Sequence, residues 1–307
     1  MKIAVVGAGA MGSLYGGLLS KNNEVFLVDI WKEHVNTINN SGLIITEPEG
    51  DVLVRPKAVA SAELVGTADL VILFTKCTNT KSALDESKSL IGPDTILLSL
   101  QNGYGNAEDM ADYADADRIL VGTTGHGCSI KEPGHIIHAG KGETHIGAVS
   151  EDQARAFDIA RVLMDAGFET HISSNIMELV WKKLFVNIGI NPITALLSLP
   201  NKAIAENPAA QKASMLAVRE AVAAANAGGM NFDETAVWKN VIAVAENTGE
   251  NTSSMLADVL KCRQTEIVKI NGAVVKKAAE LGVPAPVNEM LTLLIQAKEN
   301  SYLQAEQ

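Results

Sequence analysis

The chain has no excess of basic residues. Its 25 lysines and arginines stand against 36 acids, for a formal net charge of -11. That argues against nucleic acid, which needs clustered positive charge, and against docking on anionic membrane. Cysteine is scarce. Cys77, Cys128 and Cys262 lie far apart, with no CxxC pair and no zinc spacing, and read as reduced thiols. Long apolar spans are missing too. The opening "MKIAVVGAG" breaks at glycine, too soon for a secretion signal or a membrane span, so a cytoplasmic protein is expected. No internal repeat, low-complexity tract or long linker interrupts the chain. Its 307 residues are 47% apolar and 20% charged, which suits a soluble globular protein of two domains better than of one.

What is present is an alternation. "KIAVVG", "EVFLVDI", "DLVILFTK", "TILLSL" and "RILVGTT" are apolar runs of strand length, and stretches of helical character such as "TKSALDESKSL" lie between several of them. Strands alternating with helices imply βαβ units, and near-continuous apolar strands imply a mostly parallel sheet covered on both faces. "GHIIHAGKGETHIGAV" reads as a hairpin split by a glycine-rich turn, followed by a helix over "EDQARAFDIARVLMDAG" and a last strand, "ETHI". From Ser174 on, helical periods dominate. The expected domains are 1–173, α/β, and 174–307, all-α.

"GAGAMG" follows the first strand and opens a helix, the setting that a dinucleotide fingerprint requires. Gly7 would allow the tight turn, Gly9 the approach of a pyrophosphate, and Gly12 close packing of helix on strand. The helix N-terminus would favour the phosphate charge. The next strand ends in Asp29, at about the expected ~20 residues, where a carboxylate accepts from ribose hydroxyls and repels a 2′-phosphate. That favours NAD over NADP, with Lys32 near enough to oppose it. Lys76 and Asn102 stand at the C-terminal ends of strands, the edge at which open α/β sheets bind ligands. Taken singly, each reads as readily as a solvated strand end or an Asn-Gly turn. His126, His135, His138 and His145 cluster in sequence. Their spacing fits no zinc pattern and no cysteine or acid completes a set, so they read as structural or surface histidines and no metal is expected.

The second half carries "WKKLFVNIGINP". Lys183, Asn187 and Asn191 fall at i, i+4 and i+8 and share one helix face, while Trp181, Leu184, Phe185 and Ile188 mark the packed side. Pro192 should kink or break this helix just past the polar stripe. If the stripe faces the glycine loop it lines a pocket, where a lysine can donate a proton; otherwise it is a wet face. "SSMLADVLKCRQTEIVKING" is a second helical pattern. In it Glu266 is either part of a solvated ion row with Arg263 and Lys269 or, with Ser254, part of the same pocket.

Together "GAGAMG", "QNG", "WKKLFVNIGINPITALL...LPN", "SSML" and "TEIVKING" closely resemble the ketopantoate reductase (2-dehydropantoate 2-reductase) family, in order and over essentially the whole length. The middle block and "TEI...ING" are far more specific than the glycine motif. The resemblance implies a Rossmann-type dinucleotide-binding domain followed by an all-helical domain, with the active site between. It implies NAD(P)H-dependent reduction of 2-dehydropantoate to (R)-pantoate in pantothenate biosynthesis. Lys183 resembles the general acid, and Glu266 the glutamate near the nicotinamide ribose and substrate. Asn102, Lys183, Asn187, Asn191, Asn201 and Ser254 resemble substrate-binding residues, Ser254 on the carboxylate. Gly7, Ala8, Gly9, Ala10, Met11, Gly12, Asp29, Lys76, Asn102, Cys128 and Glu266 resemble the cofactor-binding set. The partner implied is a small-molecule 2-oxo acid, and a homodimer is compatible. The family norm is NADP, often with a base after the second strand, whereas this chain has Asp29 and Ile30. In that it is similar to a subgroup acting with NAD on D-2-hydroxy acids such as mandelate. A non-catalytic redox sensor is the alternative from another class, which would be favoured if the lysine and glutamate were absent.

Overall fold

The structure is a computed structural model and describes residues 1–303. Its strands are β1 Lys2–Val6, β2 Glu24–Val28, β3 Leu43–Glu47, β4 Gly50–Val54, β5 Lys57–Val59, β6 Leu70–Leu73, β7 Ile96–Ser99, β8 Ile119–Thr124, β9 Gly127–Glu132, β10 His135–Gly140, β11 Thr144–Ala148 and β12 Thr170–Ile172. The helices among them are α1 Ala10–Leu19, α2 Lys32–Ser41, α3 Thr80–Glu86, α4 Asn106–Met110 and α5 Ala154–Asp165. Then follow α6 Ile176–Leu197, α7 Ala203–Glu206, α8 Pro208–Ala227, α9 Glu234–Asn247, α10 Ser254–Leu260, α11 Asn271–Glu280 and α12 Pro286–Leu303. Two compact units result. The first holds residues 1–101 and 105–179; the second holds 102–104 and those from Val180 on.

In the first unit β1 is apolar along both faces because it is buried on both. Ile3 and Val5 enter one core cluster, and Ala4 and Val6 enter the other. Eight strands run in the order β12-β11-β8-β7-β6-β1-β2-β5. The six from β8 to β5 are parallel to their neighbours, and β11 meets β8 antiparallel. The order reverses at β1, which lies between β2 and β6. In open α/β sheets that switch point is where ligands bind.

A second sheet, β4-β3-β10-β9, stands apart from the first. The hairpin expected over residues 134–149 is not formed. β10 pairs with β9 and β3, whereas β11 pairs with β8 and β12 in the large sheet. The glycine-rich stretch is the crossing between sheets rather than a tight turn. Gly142 passes so close to Gly125 that a Cβ would lie 2.5 Å from its carbonyl oxygen. The tight turn lies earlier, at Pro133 and Gly134, between β9 and β10.

In the second unit every element is helical, and α6 is surrounded by its core. The helix does not end at Pro192 but runs on to Leu197. A mid-helix proline costs about 3 kcal/mol. Burying Ile188, Ile190 and Ile193 on the same two turns offsets it, at roughly 1.5–3 kcal/mol each. Thr194 Oγ1 also donates back to the Ile190 carbonyl at 2.9 Å. The second helical pattern is interrupted: α10 ends at Leu260, and Cys262 takes a left-handed φ of 51°. A helix cannot continue through that conformation, so Glu266 lies on a separate segment ahead of α11.

Candidate active site

The loop from β1 to α1 is built by glycines that the chain itself demands. Gly7 has φ 94°, and a Cβ on it would lie 2.5 Å from the Thr75 amide nitrogen. A Cβ on Gly12 would overlap the Gly7 carbonyl. Gly9 differs, since a Cβ there would meet nothing within 4 Å. The first two glycines let helix and strand close on each other. The third leaves a bare backbone face at the N-terminus of α1, where amides without helical acceptors stand. That face fits a pyrophosphate.

Ala8 is gripped at both ends. Its N–H donates to Asp29 Oδ2 at 2.6 Å, and its carbonyl accepts from Ser13 Oγ at 2.8 Å. Behind Ser13 stands the fully buried His34, its Nε2 3.0 Å from Ser13 Oγ. The amide of Gly134 donates to His34 Nδ1 at 3.0 Å, so Nδ1 carries no proton and Nε2 is the donor. Burial lowers the pKa of His34, with Asp29 pulling less strongly the other way, and the ring is neutral. Neither Ser13 nor His34 stood out in the sequence. Serine inside a helix and histidine in an amphipathic one carry no signal of a contact 100 residues away.

Asp29 accepts a second bond from the Trp31 amide at 2.8 Å, which fixes the carboxylate at the end of β2. Beside it a crevice of about 500 Å³ opens at the carboxyl ends of β1, β2 and β5. Asp29, Glu63 and Glu86 line it, and none of its lining residues is basic. Lys76 is half-buried just past β6, before the short turn Cys77–Asn79. Gln101 holds that loop, its Nε2 donating to the Thr75 carbonyl at 2.8 Å and its Oε1 accepting from Ser99 at 2.9 Å. The Cys128 thiol lies 3.4 Å from the Ala10 carbonyl. Burial pushes its pKa up to about 12, so it packs under the loop as a thiol and not as a reactive thiolate.

In the second unit α6 has the two faces its spacing implied. Trp181, Leu184, Phe185 and Ile188 are buried in the core. Lys183 and Asn187 are half-buried and Asn191 is buried. Burial lowers the Lys183 pKa from 10.5 to about 8, with the Glu266 charge opposing. Glu266 accepts from Asn102 Nδ2 at 3.2 Å. Asn191 Nδ2 donates to Ser254 Oγ at 3.3 Å. The neighbouring Ser253 caps α10 and bonds Thr194 of α6 at 2.7 Å, which sets Ser254 beside the stripe. So Lys183, Glu266 and Asn102 form one group, and Asn191 with Ser254 another. Asn201 pairs elsewhere: its Nδ2 donates to Thr248 at 2.9 Å, and its buried Oδ1 has no hydrogen-bond partner among the described residues.

The family model for ketopantoate reductase PanE/ApbA matches residues 3–151, and the model for its C-terminal part matches 175–299. The chain belongs to this family. The family consists of pyridine-nucleotide oxidoreductases. Among its curated members, the 2-dehydropantoate 2-reductase of Halobacterium salinarum is 36% identical over 298 residues, 96% of this chain and 98% of that one. That of Pyrococcus horikoshii is 36% identical over 302 residues, 98% of each chain. Of the solved structures, a D-mandelate dehydrogenase with NADH and anilino(oxo)acetate superposes with a TM-score of 0.93 at 32% identity, covering 98% of this chain and 99% of that one. A ketopantoate reductase of the same family from Ralstonia eutropha gives 0.90 at 29% identity, covering 99% and 100%. The two-unit fold expected from the resemblance is the fold of these family members. No helix among the described residues is long and apolar enough to cross a membrane.

Proposed function

We propose that the protein reduces 2-dehydropantoate to (R)-pantoate, with residues 1–173 binding the dinucleotide and 174–307 the substrate. The observation that carries this reading is the amine of Lys183, lowered to about 8 on a stripe shared with two asparagines. An acid of that pKa is protonated at neutral pH yet gives up its proton readily. When bound, a reduced nicotinamide supplies the hydride to C2 of the 2-oxo acid. Lys183 protonates the oxygen as negative charge develops there. Glu266 keeps the amine protonated between turnovers and steadies Asn102. Asn187, Asn191 and Asn201 hydrogen-bond the substrate, and Ser254, oriented by Asn191, takes its carboxylate. Most of this is positioning. The glycine loop and the α1 N-terminus would hold the pyrophosphate, and Lys76, at the strand end, would contact the cofactor. A crevice with three carboxylates and no base suits a ribose with free hydroxyls, so NADH serves at least as well as NADPH.

The acidic crevice also favours a second reading within the family, an NAD-dependent dehydrogenase of bulky D-2-hydroxy acids, since the mandelate enzyme bound NADH. Initial rates with 2-dehydropantoate, benzoylformate and 2-oxoisovalerate, each with NADH and NADPH, separate the two. Our reading expects 2-dehydropantoate to lead in kcat/KM and to beat 2-oxoisovalerate widely, because a site built to bond the substrate hydroxyl rejects the analogue lacking it. If benzoylformate leads, the second reading replaces the first.

A further inference from the structure

We propose that the outer edge of the large sheet carries a transition-metal site made by Glu143, His145, Glu169 and His171, independent of the reaction. The chain spells Glu-Thr-His twice, at 143–145 and at 169–171. β11 and β12 set the copies side by side in parallel register, Thr144 against Thr170 and His145 against His171. Strand residues alternate between faces. Both threonines are buried under the sheet, so both glutamates and both histidines stand on the opposite face. There, ligand atoms of Glu143, Glu169 and His171 all lie within 4.8 Å of one another. The fourth group adjoins them: the rings of His145 and His171 are stacked at 5.2 Å, and His145 Nε2 is 3.0 Å from Glu143 Oε2.

Two imidazoles and two carboxylates are a donor set for Zn²⁺, Ni²⁺ or Cu²⁺, and without a thiolate or an all-oxygen shell it suits neither soft ions nor Mg²⁺ and Ca²⁺. Tetrahedral zinc with bonds of about 2.0–2.1 Å needs its ligands closer than they stand, and exposed glutamates rotate freely enough to close that gap. The pairing across the strands also favours a cation. Each histidine stands by the glutamate of its own strand, at 3.0 and 3.4 Å, but across the strands like groups meet, and like charges there repel unless a cation lies between them. Here the acid faces the acid and the imidazole faces the imidazole. Lys141, which lines the adjoining cavity with both glutamates, is engaged by Glu47 and Glu49, each at 3.3 Å. Sequence order groups His145 with His126, His135 and His138; the sheet groups it with His171, which brings the acids that the sequence cluster lacked.

The test is titration of the chelator-stripped full chain with Zn²⁺ against a chromogenic chelator. One equivalent should bind with a dissociation constant in the micromolar range, and His171→Ala and Glu169→Gln should each weaken it about tenfold or more. Glu280→Gln, exposed at the end of α11 in the second unit, should leave it unchanged. All three variants should melt like the wild type in chelator. Added Zn²⁺ should raise the melting temperature of the wild type but not that of His171→Ala. Unchanged affinity in His171→Ala and Glu169→Gln, loss of binding in Glu280→Gln, or saturation only near about 1 mM would each overturn the proposal.

Discussion

Lys183 costs the fold something by its burial. A lysine whose pKa is lowered by burial destabilises the native state while it is protonated, and the cost is relieved as the pH rises from about 8 towards 10.5. Lys183→Met should therefore be no less stable than the wild type in thermal unfolding at pH 7. Turnover should still fall by ~100-fold or more, the usual contribution of a positioned acid. Near-normal turnover would remove Lys183 from the mechanism. In the wild type, kcat for reduction should be level below about pH 8 and fall above it, because the donor must be protonated. The oxidative direction should show the opposite limb. Lys183 could be picked out of the sequence because amine and amides recur at helical spacing in an apolar run. Ser13 and His34 could not, since their role depends on Gly134, which only the fold brings near. They yield a second prediction. Ser13→Ala should weaken dinucleotide binding several-fold by fluorescence titration and leave the saturated rate little changed. His34→Gln, which keeps an acceptor and a donor, should bind better than His34→Leu.

At the level of elements, our proposal makes the end of β2 the place where the cofactor is chosen. Asp29→Ala should shift the kcat/KM ratio towards NADPH, because a carboxylate beside a doubly charged phosphate costs on the order of a few kcal/mol at an effective dielectric near 20. A wild type that strongly prefers NADPH, and loses the preference in Lys32→Ala, would show that Lys32 sets the choice. At Gly189 α6 packs closely, since a Cβ there would lie 2.7 Å from Val241 and 2.8 Å from Ser214. Gly189→Ala should lower stability by about 1–3 kcal/mol in denaturant melts, the usual cost of overpacking. Elements with a plain local pattern, the continuous apolar runs of β1 and β2 and the amphipathic α5, were legible in the sequence. Those set by partners were not. Nothing in "HIIHAGKGETHIG" states that its halves join different sheets, because both have strand character and glycine serves a crossing as well as a turn. Pro192 misled in a similar way: local preference favours a break, and the surrounding core outweighs it.

For the molecule as a whole, each unit keeps its own apolar core. NADH at about a hundred times its dissociation constant should add about 2.7 kcal/mol to whatever binds it, visible as a calorimetric shift that Gly12→Ala abolishes. The passage from an α/β half to a helical half shows in the change of texture near Ser174, whereas nothing local marks the small second sheet, since its strands come from two distant stretches. That sheet bears on how the protein is made. β3 and β10 are parallel partners separated by about half of the first unit, and the turn between β9 and β10 supplies the Gly134 amide to His34, 100 residues earlier. Pairings that close long loops form slowly. During refolding from denaturant, far-UV dichroism should therefore recover ahead of NADH binding. On that order the chain would acquire its outline first and its grip on the cofactor last, and a partly refolded copy would draw no nucleotide away from finished ones.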